Sequence, residues 1–373
     1  MGSCGRPLFV LSDLSAGGAE QSTLRLLGDL ALRGLEPTLF LLRHRGEFLG
    51  RVPRDVRLTW ALDGDARVHR NAVFIIRKLL RCVRDSDVVV GALELESTYF
   101  AYVCGRLLQR PVIGWVHAVM GEHLKELSPI HTRLGRFVYP RMDQLVFPSQ
   151  GAADSLARVA RLRRENLTVI PSYLDVPSLQ ARALDPLPQW AAQVFAKPTV
   201  VNVGRLVPSK GLDTLLHAHA RVRAEGIDHH LLIVGEGSLR NELEQLARCL
   251  GVRNSVFMSG FVPNPYPLIK AADVFALSSR FEGLPLVLLE ALGIGTAIVA
   301  ADCPGGPSAV LEGGRYGLLV APDDAAALAT SVARLLRESS LRERLSAGGP
   351  ARAGEFTRAS ILPRWERILA APR

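Results

Sequence analysis

Aromatic side chains make up only 6% of this 373-residue chain, and its cysteines number five. So few rings argue against a single-strand nucleic-acid binder, which would stack bases on exposed aromatics. Cys4, Cys82, Cys104, Cys249 and Cys303 are odd in number and scattered, with no C-x-x-C pair and no neighbouring histidine cluster. That pattern argues against a disulfide framework and a structural zinc site, and it suits reduced thiols in a cytosolic protein. No apolar run approaches the roughly 20 residues that a membrane-spanning helix requires. The stretch from Leu8 to Leu14 is too short for a signal-peptide core. Met1-Gly2 opens like a myristoylation site, yet Arg6 stands where that motif needs Ser or Thr. A cytoplasmic location is expected, with the inner face of a membrane within reach of a basic helix described below.

What is present is the composition of a folded globular protein: 48% hydrophobic and 22% charged residues, in a length that suits two domains of ordinary size. The net charge is +9. Residues 1–185 carry 25 Lys and Arg against 19 Asp and Glu, or +6, and the remainder carries 20 against 17, or +3. Phosphorylated substrates, an anionic membrane surface or nucleic acid could each answer to that excess.

From Pro7 onward, short apolar runs alternate with helix-like segments, the pattern of βαβ units and a parallel sheet. Six strand candidates in the first half begin at Leu8, Pro37, Asp87, Pro111, Gln144 and Leu167, and six in the second at Pro198, His229, Ser255, Asp273, Thr296 and Tyr316. Between the two series, residues 176–197 are proline-rich and aperiodic, so they read as a linker. The expected organisation is an N-terminal α/β domain over 1–175, the linker over 176–197, a C-terminal α/β domain over 198–354, and a terminal helix over 355–373 interrupted at Pro363.

The stretch from Leu277 to Gly293, LSSRFEGLPLVLLEALG, holds two carboxylates eight residues apart, Glu282 and Glu290. It reads as strand end, loop, then helix, with Pro285 suited to the first helical position and Gly293 to the end. The unpaired N–H groups and dipole of that helix start make Gly283-Leu284-Pro285 an anion site. Glu290 then lies about 7.5 Å further along the axis, at ~1.5 Å per residue, so both glutamates reach one elongated ligand. A solvated loop glutamate and an ordinary helix glutamate are the plainer alternative.

Other residues point the same way. Gly17 and Gly18 form a turn between the first strand and helix that permits close approach of a phosphate. Arg205 and Lys210, in GR-x4-KG after Gly204, leave a strand end and precede a helix, where their heads could converge on one anion. His117 closes the strand that begins at Pro111, at the carboxyl end where ligands of open α/β sheets bind; His123 is a nearby rival. Gly235 and Gly237 lack the third glycine of a dinucleotide fingerprint and read as a turn, with Glu236 facing the cleft. The strings Asp63-Gly64-Asp65 and Asp85-Ser86-Asp87 read as solvated turns, so no essential metal is expected. Over Val68–Arg84, Arg70, Arg77, Arg81 and Arg84 share a helical face opposite an apolar one. Packing explains that face, and binding to anionic lipid, extended by Arg158, Arg161, Arg163 and Arg164, is the sharper alternative.

The E-x7-E segment EGLPLVLLE, the GR-x4-KG string and the GG turn resemble the motifs of retaining family-4-type glycosyltransferases, and the similar order covers most of the chain. The resemblance implies the GT-B fold, two Rossmann-like β/α/β domains facing each other across a cleft, with the C-terminal helix crossing back to the first domain. It also implies a nucleotide diphosphate sugar donor, most simply UDP-linked, and a hydroxyl acceptor, which could be lipid-linked. By the same resemblance Arg205 and Lys210 clamp the diphosphate, Glu282 meets the donor sugar and Glu290 the ribose. His117 borders the sugar, Gly17 and Gly18 border the diphosphate and acceptor, and the backbone at Gly260, Phe261 and Val262 borders the base. No cofactor is implied. The sequence departs from the family at IPSYLD, where Ser172 and Tyr173 replace Asn with Pro or Gly. A nucleotide-sugar epimerase or hydrolase of the same shape, or a non-catalytic phospholipid or nucleic-acid binder, are the competing readings.

Overall fold

The computed structural model describes residues 5–15, 17–121 and 129–370. The chain divides into two compact units, Met1–Tyr173 with Ala359–Arg373, and Leu174–Arg358.

In the first unit the strands are β1 (Pro7–Leu11), β2 (Thr38–His44), β3 (Arg57–Asp63), β4 (Val88–Gly91), β5 (Val112–Trp115), β6 (Gln144–Phe147) and β7 (Leu167–Val169). They form one parallel sheet in the order β3-β2-β1-β4-β5-β6-β7. All five residues of β1, PLFVL, are buried, as a parallel strand covered on both faces demands. One face is covered by helices Ala72–Arg84 and Gln150–Ala160, through Ile75, Leu79, Val83 and Leu156. The other is covered by Gly18–Leu32 and by the terminal helix Arg358–Ala370. Trp365 of that terminal helix is fully buried and meets Trp115 edge-on, with ring centroids 4.5 Å apart.

The second unit repeats the plan. Its strands β8 (Thr199–Val203), β9 (His230–Val234), β10 (Val256–Gly260), β11 (Val274–Leu277), β12 (Ala297–Ala301) and β13 (Leu318–Val320) run parallel in the order β10-β9-β8-β11-β12-β13. Both sheets are doubly wound: strand order reverses between β1 and β4 in the first, and between β8 and β11 in the second.

Three expectations need correction. Strand β3 was not among the candidates, because RLTWALD is a half-exposed edge strand with one neighbour and lacks the continuous apolar run that marks the others. Residues 176–197 are not an unstructured linker. They hold the helix Val176–Arg182, started by Asp175 accepting from the Ser178 N–H at 3.1 Å, and they bury Leu179, Ala191 and Val194 in the second unit's core. Finally, the terminal helix continues through Pro363, since Ile361, Leu362, Trp365, Ile368 and Leu369 are all buried on one side and their packing outweighs one missing hydrogen bond.

Behind the second sheet lies a buried histidine pair. His219 Nδ1 and His229 Nε2 are 2.8 Å apart, His219 Nε2 is 2.8 Å from Ser255 Oγ, and His229 Nδ1 meets the Ile227 carbonyl at 3.0 Å. Burial pushes His219 down to about 3, and the charges of His229, Arg223 and His230 add to it; burial also lowers His229, with Asp228 and the Ile227 bond opposing. Both rings stay neutral in the folded state while the unfolded chain takes up protons near pH 6.5, so stability falls as pH drops below that value. Thermal melts between pH 7 and 5 should show this loss, and His219→Gln should flatten it. An unchanged slope in the variant would contradict the assignment.

Candidate functional site

At the reversal point of the second sheet, the loops after β8 and β11 leave neighbouring strands and meet. Lys210 Nζ donates to Glu282 Oε1 at 2.6 Å, and Ser279 Oγ donates to the same oxygen at 2.6 Å. The pair is largely shielded, with side chains 20% and 11% exposed. Ser278 Oγ donates to the Lys210 carbonyl at 2.9 Å, and the Arg280 N–H donates to the Ser209 carbonyl at 2.8 Å. Gly211 sits at φ +57°, and a Cβ there would strike the Ser278 carbonyl, so only glycine lets the loops close. Arg280 reinforces the junction through Asp213 at 2.7 Å and Asp323 at 2.8 Å. Cys303, buried beside the pair, keeps its proton: burial pushes the thiol up, and the Glu282 charge adds to it.

The helix Leu286–Ile294 begins at this junction. Pro285 is the residue before the first turn rather than its first member, with ψ 93° and its carbonyl accepting from the Leu288 N–H at 2.9 Å. The Leu286 and Val287 N–H groups lie in the first turn, where helix geometry supplies no partner. Gly293 does not end the helix. It packs inside against Leu179 and Ala353, and Gly295 at φ +83° makes the left-handed cap. Glu290 lies on this helix, only 7% exposed, and accepts from the Tyr266 hydroxyl at 3.0 Å.

Arg205 is exposed, and among the described residues no side-chain hydrogen bond or ion pair holds it. The Lys210 side chain packs beside Gly204. The Gly235-x-Gly237 string serves packing: a Cβ on either would strike the backbone of Gly204 or Leu206. Glu236 pairs with Arg240 at 2.9 Å. Val262 is partly buried against the core that holds Tyr266, and Gly260 ends β10 at φ +80°. A fixed carboxylate, the Lys210 cation and a helix start lie together here, which suits an anionic, hydroxyl-bearing ligand.

In the first unit, Gly17 precedes the helix Gly18–Leu32, and a Cβ on it would strike the Glu20 carboxylate. His117 follows β5. Its ring lies 4.3 Å from that of Trp115, and burial pushes its pKa down to about 3 against a hydrogen bond to the Ala92 carbonyl. The imidazole is neutral, and its Nε2 is buried without a hydrogen-bond partner among the described residues. Glu94 accepts the N–H groups of both His117 and Ala118. His123 lies outside the described residues. At the departure from the family pattern, Ser172 Oγ meets Ser22 Oγ at 3.2 Å, and the Tyr173 hydroxyl donates to Asp29 at 2.5 Å. Of the D-x-D strings, Asp63 accepts from Trp60 and Asp87 from Arg6. No cluster of His, Cys, Asp and Glu that could hold a metal ion occurs among the described residues.

Sequence reasoning missed Ser279, Tyr266 and Glu94. Ser279 stands three residues before Glu282, a spacing that a loop bond to the carboxylate could have suggested. Nothing in NPYP marks Tyr266 as the partner of Glu290.

Comparison with known proteins bears on the family and the fold. Residues 192–352 match the family model for glycosyl transferases group 1, and residues 16–176 match that for Glycosyltransferase Family 4. The chain is 27% identical to a Campylobacter jejuni alpha-1,4-N-acetyl-D-galactosaminyltransferase acting on GalNAc-alpha-(1->4)-GalNAc-alpha-(1->3)-diNAcBac-PP-undecaprenol, over 97% of each chain. It is 35% identical to the lipopolysaccharide core biosynthesis glycosyltransferase LpsE of Rhizobium meliloti, over 47% of this chain and 50% of that one. The solved structure of Anabaena HepE in complex with UDP and glucose shares the fold, with a TM-score of 0.84 at 19% identity over 98% of this chain and 99% of that one. With two family models spanning both units and two doubly wound sheets of the GT-B type, the chain belongs to the family-4-type glycosyltransferases.

Proposed function

We propose that the protein transfers a sugar from a nucleotide diphosphate donor, UDP-linked in the simplest case, to a hydroxyl acceptor with retention of anomeric configuration. The observation that carries this is the Lys210–Glu282 pair at the reversal point of the second sheet, beside the first turn of the Glu290 helix. As the glycosidic bond breaks, negative charge grows on the leaving diphosphate. Arg205, Lys210 and the Leu286–Ile294 helix start stabilise that charge, so no divalent ion is needed. Glu282, fixed by Lys210 and Ser279, accepts from sugar hydroxyls and orients the donor, while Glu290 accepts from the ribose. Gly283, Leu284, Pro285 and the backbone at Val262 line the same donor site. On the first unit, the neutral His117 is the candidate contact for a sugar, and the acceptor belongs near Gly17 and Gly18. The leaving diphosphate itself takes the acceptor proton on the face of attack.

The similarity to an enzyme acting on a PP-undecaprenol glycan supports a lipid-linked acceptor, in glycolipid or surface-polysaccharide assembly. The surface of the first unit fits a membrane-bound substrate. Among the described residues no helix is long and apolar enough to cross a membrane, but Arg70, Arg77, Arg81 and Arg84 are all exposed, with Phe74 48% exposed in the same row. Arg70 stands in the short turn before the helix rather than in it. On the helix Pro129–Val138, Ile130, Leu134 and Phe137 form an exposed ridge at helical spacing, 65%, 40% and 53% exposed, flanked by the exposed Arg133 and Arg136. Apolar side chains rimmed by cations suit the headgroup region of an anionic bilayer. Arg158, Arg161 and Arg163 add exposed cations, whereas the side chain of Arg164 lies outside the described residues.

Metal-free titrations with UDP, GDP and ADP should find one that binds at about micromolar Kd, near −8 kcal/mol, and loses roughly 1 kcal/mol or more in Glu290→Ala and in Arg205→Ala. Folded protein that binds none would sink the donor reading, and sugar release from the donor alone at the full rate would favour a hydrolase. For the membrane, sedimentation with phosphatidylglycerol vesicles should retain the protein. Phosphatidylcholine vesicles should not, and Arg77→Glu/Arg81→Glu or Ile130→Ser/Phe137→Ser should lose it. Retention by all forms would overturn that part.

A further inference from the structure

We infer that Tyr266 is a positioning residue for the nucleotide ribose, acting through Glu290. The inference rests on the donor reading above and adds a residue that neither the E-x7-E spacing nor the turn motifs assign. Tyr266 is 6% exposed, and its hydroxyl donates to Glu290 Oε1 at 3.0 Å, between two side chains that lie 24 residues apart and belong to different helices. A carboxylate as buried as Glu290 must be turned and held by hydrogen bonds if it is to accept from a ligand hydroxyl in one geometry.

The tyrosine is itself held from behind. The Arg182 guanidinium lies over its ring, 4.7 Å from the centroid. Two residues before it, Asn264 Nδ2 donates to the Arg182 carbonyl at 2.9 Å and to Asp185 Oδ2 at 2.8 Å, while Arg182 donates back to Asn264 Oδ1 at 3.4 Å. Pro265 then starts the short helix Tyr266–Ala271. The segment Asn264-Pro265-Tyr266 is thus locked to the helix Val176–Arg182, and that lock fixes where the phenol oxygen stands. A phenol hydroxyl on one carboxylate oxygen fixes the orientation of the group. The carboxylate can accept further hydrogen bonds, and the two hydroxyls of a ribose are the donors that the proposed ligand offers.

The test compares UDP, 2′-deoxy-UDP and inorganic pyrophosphate by calorimetric titration of wild type, Tyr266→Phe, Glu290→Gln and the double variant. Wild type should prefer UDP over its deoxy form, and Tyr266→Phe should shrink that preference by about five-fold, the worth of one ordinary hydrogen bond. Pyrophosphate binding and melting temperature should stay as in wild type. In the Glu290→Gln background, Tyr266→Phe should cost nothing more. A full ribose preference in Tyr266→Phe, or a loss shared equally by pyrophosphate and UDP, would overturn the inference while leaving the donor reading intact. Wild type that binds neither UDP nor pyrophosphate would overturn both.

Discussion

The ion pair of Lys210 and Glu282 joins two loops that leave adjacent parallel strands at the one place in the second sheet where strand order reverses. Elsewhere in a doubly wound sheet, neighbouring connections run over the same face. Only at the reversal do they part and leave a crevice at the carboxyl ends of the strands. The remaining features of the site follow from closing those two loops without filling the crevice. Gly211 is a glycine because a side chain would meet the Ser278 carbonyl, and Arg280 is tied to Asp213, Asp323 and the Pro208 carbonyl so that the chain turns in time to start the Glu290 helix. The opposed charges give the junction a cation and an anion within one hydrogen bond of each other, which is what a ligand bearing both phosphates and hydroxyls calls for.

The first unit joins the loops at the carboxyl ends of its strands differently. There the anchors are the Glu94 carboxylate on the backbone N–H groups of His117 and Ala118, which join the loops after β4 and β5, and a cluster of tilted and edge-on rings, His117, Trp115 and Trp365. Trp365 comes from the terminal helix, so the last residues of the chain help to set the ring beside which His117 lies. Leu95, just after Glu94, holds φ +60° and ψ −118°, a strained conformation for a residue with a side chain. Strain beside a buried, neutral imidazole fits a part of the molecule shaped for a ligand rather than for stability alone.

Much of this was legible in the sequence. Strands buried on both faces declare themselves as continuous apolar runs, which is why β1, β9, β11 and β12 could be found by composition alone, while the half-exposed β3 could not. Glu282, Glu290, Arg205 and Lys210 could be singled out from the sequence because loop and helix spacing carries their approximate placement; their roles are the proposal made above. The pairing of Lys210 with Glu282 was not legible, since the partners stand 72 residues apart and meet only through β8 and β11 lying side by side. Tyr266 was hidden for the same reason. Residues 176–197 misled because proline and irregular spacing suggest a linker, whereas Asp175 starts a helix there and Leu179 fills a core. Pro285 and Gly293 each missed their expected positions by one or two residues, the ordinary uncertainty at helix ends.

The most direct measurement is a crystal structure of the protein grown with UDP and without divalent metal. The account predicts the diphosphate against the first turn of Leu286–Ile294 with Arg205 and Lys210 on its oxygens, and the ribose hydroxyls on Glu290. Nucleotide bound elsewhere on the second unit, or only on the first, would contradict it.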